Sequence, residues 1–194
     1  MTKNRTMSTK TMVLGAIMTA LVIIVQLIST YTTFFGPFST ALALIPIVIG
    51  AALCGSGIGA WLGFVFGMVV LVTGGANFFL AFDVLGTIVT VLAKGTLCGL
   101  AAGLVFNALN KFNIYLAAVA AAIVCPVVNT GVFMLGCAVF FLDSASKIAS
   151  ALGSTASGME VFVVLALANF LFELGANVVL SPVVVRLLNI RNKQ

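Results

Sequence analysis

The chain has 194 residues, of which 62% are hydrophobic and 7% charged, with a formal net charge of +5 and no histidine. Soluble domains average about 45–50% apolar and roughly 25% charged residues, so this composition excludes a soluble protein and indicates an integral membrane protein. The length suffices for one compact bundle, a single domain over residues 1–194, and leaves no room for a soluble catalytic domain.

In chain order, a short basic arm, MTKNRTMSTK, precedes a first apolar span at about 12–29, interrupted only by Thr19 and Gln26. That run is a spanning helix; a secretory signal would have a shorter apolar core and a small-residue cleavage site. TYTTFFGPFS follows, a polar and aromatic break with Gly36 and Pro37 as turn formers and Tyr31, Phe34 and Phe35 suited to a membrane interface. A second span is expected at about 38–53. The turn CGSG, Cys54 to Gly57, makes the third span, about 58–73, its antiparallel neighbour. Gly59, Gly63 and Gly67 recur every four residues along this span, and Gly95, Gly99 and Gly103 repeat the device in the next. Both ribs read as surfaces for close helix packing. Between them GGANFFLAFD, Gly74 to Asp83, reads as a loop.

The fourth span, 84–109, carries Lys94 about 15 Å along its axis from Val84, near mid-depth of a bilayer about 30 Å thick. NKFN at Asn110 to Asn113 leads to a long fifth span at about 114–142, where Pro126 is expected to break the hydrogen-bond ladder and Val127 to Thr130 follow it. Asp143 to Gly158 reads as a serine-rich loop. The sixth span, about 159–188, places Asn169, Glu173 and Asn177 on one helical face. The expected fold class is an all-α membrane protein, a bundle of six transmembrane helices.

Six spans put both termini on one side. Lys3, Arg5, Lys10, Lys111, Arg186, Arg191 and Lys193 fall on that side and Lys147 on the other, so the termini are expected to be cytoplasmic. Orientation and anionic lipid account for the basic arm without nucleic acid. Lack of histidine excludes catalytic triads, HExxH zinc sites and histidine relays in their usual form. Cys54, Cys98, Cys125 and Cys137 stand apart with no CxxC pair and read as small buried hydrophobes.

The buried polar residues form a constellation: Lys94, with Thr90 in the same span, Asn129 and Thr130 in the fifth span, and Asn169, Glu173 and Asn177 in the sixth. A cation at mid-bilayer costs on the order of 3 kcal/mol, so Lys94 should face a partner or a cavity. Two readings stay open: Lys94 neutralises Glu173, or Lys94 anchors an anionic or amide-bearing ligand with Asn129 offering a donor and an acceptor. Phe34, Phe35, Phe78, Phe79 and Asn77 in the loops are candidates for a lid over that ligand; resting at the lipid interface is the other explanation for the phenylalanines.

The first span KTMVLGAIMTALVII, the aromatic loop after it, LALIPIVIGAALCGSGIGAWLGFVFGMV and CPVVNTGVFMLG together resemble the substrate-binding S components of energy-coupling factor (ECF) vitamin transporters, over nearly the whole chain. The resemblance implies a multi-pass protein of the bacterial plasma membrane that is not an enzyme. It implies that a water-soluble vitamin binds near the outer face, with Lys94 and Asn129 contacting it, and Thr130, Asn77, Thr90, Asn169, Glu173 and Phe35 complete the expected site. Pantothenate is favoured, with riboflavin and folate open. In that family an AxxxA pattern on the first helix packs on the transmembrane coupling subunit, and Ala16 and Ala20 match it. The chain has no GxxxxGK[ST] loop, so no cofactor is expected on it, and ATP would be used by two partner ATPase subunits. A self-contained ion- or proton-coupled secondary transporter is the alternative, although no internal inverted repeat is evident. An intramembrane enzyme lacks a recognisable serine and base pair.

Overall fold

A computed structural model of the chain describes residues 9–31, 42–151 and 159–191. Its helices are α1 (Thr9–Tyr31), α2 (Leu44–Cys54), α3 (Ser56–Val72), α4 (Asn77–Leu80), α5 (Val84–Leu109), α6 (Ile114–Gly136), α7 (Ala145–Ala151) and α8 (Met159–Arg191), and no strand occurs among the described residues. Among the described residues four segments are long and apolar enough to cross a membrane, 9–30, 84–109, 114–151 and 162–186, while α2 and α3 are shorter apolar helices. Large side chains such as Val72, Leu85 and Val139 lie on the outside of the bundle, as they should where lipid is the solvent.

α2 is the hub. It touches α1, α3, α5, α6 and α8. Eight of its 11 residues are buried, among them Leu44, Ile47, Val48 and Ala51, which is the pattern of a helix apolar on every side. It begins at Leu44, later than the expected 38, because Leu42 and Ala43 form a turn ahead of Pro46. Proline has no N–H to donate and its ring crowds the preceding turn, so it is tolerated in a first helical turn and opposes extension backwards. Gly55, at φ +97°, is the single residue between α2 and α3 and sets their hairpin in a conformation that side chains disfavour.

α3 and α5 pack backbone to backbone. A Cβ at Gly59 would strike the Gly99 carbonyl oxygen, and one at Gly99 the Gly59 oxygen; Gly63 and Gly95 are related in the same way. One turn further, a Cβ at Gly67 would lie 3.0 Å from the Val91 oxygen. These pairs fix an antiparallel register, and the two glycine ribs are the two halves of one seam.

Side chains cap both of the next helices. Asp83 accepts from the Gly86 amide at 2.9 Å to start α5, and Asn113 accepts from Tyr115 at 2.8 Å and Leu116 at 3.3 Å to start α6. α6 runs on through Pro126 as one helix, while the proline, having no N–H, leaves the Ala122 carbonyl without its ladder bond, as expected. In α8, Pro182 has no N–H for the Val178 carbonyl, and the Ser181 hydroxyl donates to that oxygen instead, at 2.8 Å.

Two segments read as loops contain helix. Asn77–Leu80 is one turn of α4. Beyond Gly136 the chain widens into a π turn, Cys137–Phe141, tightens through Leu142–Ser144, and continues as α7 where a serine-rich loop was expected. Ala145, Ile148 and Ala149 recur at helical spacing and bury against Phe79, Cys137, Phe141 and Phe162 in a second, smaller core.

The glycine seam makes a direct prediction. Gly63→Ala should lower unfolding stability in detergent by about 1–3 kcal/mol, through overpacking. Gly131→Ala should be neutral or gain up to roughly 1 kcal/mol from helix propensity, because a Cβ there would meet no packing neighbour within 4 Å among the described residues. Equal stability of the two variants would show that the seam does not hold the helices.

Candidate functional site

Three helices bring polar side chains to one cleft. Lys94 comes from α5, Asn129, Thr130 and Phe133 from α6, and Ala166 and Asn169 from α8, around an empty volume of about 280 Å³ that includes its open mouth. The glycine seam sets the rotation of α5: with Gly95 against Gly63, the neighbouring Lys94 turns toward α6. Its ammonium lies 5.5 Å from the centroid of the Phe133 ring, within cation–π range.

Beneath the cleft Glu173 is almost fully buried. Its carboxylate accepts from Asn169 Nδ2 at 2.6 Å and from Asn129 Nδ2 at 3.2 Å, while Asn177 Nδ2 donates to the Glu173 backbone carbonyl at 2.8 Å. An ionised carboxylate can only accept, so it draws the NH₂ end of each amide toward itself and turns the carbonyl end away. Asn129 Oδ1 and Asn169 Oδ1 are buried and meet no donor among the described residues.

The direct Lys94–Glu173 ion pair of the first reading is not formed. Lys94 makes no hydrogen bond or ion pair among the described residues, and Glu173 reaches it only through space. The two asparagines, which the sequence placed near both charges, take the position that the ammonium would need. Among the described residues no three Cys, Asp or Glu side chains come together as metal ligands. The four cysteines are free thiols.

Other expected site residues lie outside this cluster. Thr90, one turn before Lys94, is buried against Gly136 with its hydroxyl unpartnered among the described residues, and does not line the cleft. Asn77 is exposed in α4 and abuts Gly74. Phe35, with Phe34, lies outside the described residues. Phe79 is buried, edge to face with Phe133 and Phe141 at 5.5 Å each, so it ties the 74–83 segment to the wall of the cleft. Ala16 and Ala20 are exposed on α1, on the side opposite Met18, Val22 and Gln26.

Sequence reasoning missed Phe133 and Ala166. The signal for Phe133 was its spacing, one helical turn after Asn129 on the same face. It also missed a partly buried polar cluster between α1 and the C-terminal end of α3. There Thr30 Oγ1 lies 3.3 Å from Thr73 Oγ1, and the Gln26 amide donates to Thr30 at 3.3 Å.

No curated protein and no solved structure matches the chain. The sequence profile described as "ECF transporter, substrate-specific component" matches residues 10–185, a stretch that includes all of α1 but its first residue, the glycine seam and every residue lining the cleft. This all-helical, multi-pass membrane protein with a small polar cleft between three of its helices belongs to the family of substrate-specific components of ECF transporters.

Proposed function

We propose that the chain captures a water-soluble vitamin or related small molecule at the Lys94 cleft and delivers it for import, with pantothenate favoured over riboflavin or folate. The observation that carries this reading is Lys94 itself. An ammonium near mid-bilayer costs on the order of 3 kcal/mol, and here it is left without a hydrogen bond or an ion pair among the described residues, beside an open cleft. A carboxylate entering the cleft would meet a cation already desolvated on one side by Phe133. Lysine acts on it as a point charge, without the two-pronged grip of arginine. ATP hydrolysis then falls to two partner ATPase subunits, acting through a transmembrane coupling subunit. In the proposed topology the chain crosses a bacterial plasma membrane six times with both termini in the cytoplasm, and the cleft opens toward the outer face.

Lys94→Met keeps the length and apolar volume of the side chain and removes its charge. Calorimetric titration with pantothenate should show affinity reduced at least tenfold, about 1.4 kcal/mol. Unchanged affinity would remove Lys94 from the site. Riboflavin and folate titrated in parallel decide among the vitamins.

The exposed Ala16 and Ala20 supply the face for the coupling subunit, since small residues let helices approach closely. Ala16→Trp with Ala20→Trp should leave the isolated subunit folded and able to bind, while uptake by whole cells is lost. Uptake that survives the substitutions would move docking elsewhere, and uptake that survives loss of the ATPase subunits would favour the self-contained carrier.

A further inference from the structure

We infer that Glu173 is a positioning residue that fixes the hydrogen-bonding polarity of the cleft: by holding the NH₂ groups of Asn129 and Asn169, it leaves two carbonyl acceptors that select a ligand bearing hydroxyl or amide N–H donors beside its acidic group. The inference rests on the reading of the cleft as the binding site and extends it to the class of molecule bound.

The geometry carries the argument. Both Nδ2 atoms are committed to the two oxygens of one carboxylate, at 2.6 Å from Asn169 and 3.2 Å from Asn129. The asparagines stand on different helices, α6 and α8, yet present the same end to Glu173. Because an amide has one accepting and one donating end, the opposite ends are both acceptors, Asn129 Oδ1 and Asn169 Oδ1. Both residues line the cleft, and both oxygens are buried with no donor among the described residues. A buried acceptor is costly until a donor reaches it. The cleft thus has a cation at one wall and, on two of its lining residues, enclosed acceptors that still await a donor. A ligand complementary to it is asymmetric, with an anion or strong acceptor for Lys94 and donors for the asparagines. A dicarboxylate would fit one end and be repelled by the other, and a purely apolar molecule would leave all three groups unsatisfied. Sites built around donor–acceptor pairs discriminate strongly against analogues that lack the matching group.

Glutamine at 173 has the same shape as glutamate, but one of its two terminal atoms donates. One asparagine must then reverse and present NH₂ to the cleft. Glu173→Gln should therefore weaken pantothenate binding at least about tenfold while preserving the fold. Adding Asn129→Asp restores the pattern. The new glutamine donates to the new aspartate, whose second oxygen remains an acceptor, and the other glutamine atom accepts from Asn169. The three side chains again carry a single negative charge in total. Affinity should return to within about threefold of the parent chain.

A spectroscopic arm needs no ligand. In protein labelled with ¹⁵N at asparagine, the side-chain amide protons of Asn129 and Asn169 should exchange slowly with solvent, with signals assigned by their loss in Asn129→Ser and Asn169→Ser. Glu173→Gln should release one of the two. If Glu173→Gln binds pantothenate as tightly as the parent while Lys94→Met does not, the polarity assignment is overturned and the cleft stands. If neither substitution changes pantothenate binding, the cleft reading itself fails. Should pantothenate not bind the parent chain, the amide signals decide: release of one supports the assignment, and protection of both in Glu173→Gln overturns it.

Discussion

Backbone contact between α3 and α5 is the constraint on which the rest of the bundle depends. In lipid, apolar side chains gain little by leaving their solvent, so helix association rests on dispersion at short range and on the hydrogen-bonding groups that close approach can satisfy. The seam through Gly59, Gly63, Gly95 and Gly99 brings carbonyl oxygens to within contact of the facing Cα atoms, a distance that favours weak Cα–H···O bonds. It also permits only one rotation of α5. With Gly95 held against Gly63, Lys94 is directed to α6 and α8, where polar atoms are available.

The two charges of the cleft are handled differently. Glu173 is enclosed and receives neutral donors from two helices, so its charge is spread over a hydrogen-bonded network rather than cancelled by the ammonium. Replacing a buried ion pair by such a network avoids desolvating two charges against each other, a step whose cost often exceeds the attraction regained. Lys94 remains half-buried beside the face of Phe133, with no hydrogen bond or ion pair among the described residues, so the energy of a stronger partner has not been used within the fold.

Much of this was legible in the sequence, for stated physical reasons. Long apolar runs such as 84–109 are visible because a bilayer demands them, and the four-residue recurrence of glycine announces close packing whichever partner takes it. The convergence of Lys94, Asn129 and Asn169 followed from polar residues being rare in lipid. Local exceptions were harder to see. Pro46 carried the signal for the late start of α2, since a proline so near the expected start limits how far back a helix can extend. Ala145, Ile148 and Ala149 held the period of α7 among serines whose composition suggested a loop. Who pairs with Glu173 was not readable, because it turns on the relative rotation of α6 and α8, which no single helix encodes.

The position of Lys94 in the chain has a consequence for how the protein is made. Asn129 and Glu173 are synthesised 35 and 79 residues after it, as 129 − 94 and 173 − 94. α5 therefore enters the bilayer with its lysine before the helices that form the rest of the cleft exist. α3 is already present, and the seam gives α5 a partner from the moment of insertion. The glycines thus act in time as well as in space, holding a costly segment in place until the later helices arrive to enclose it.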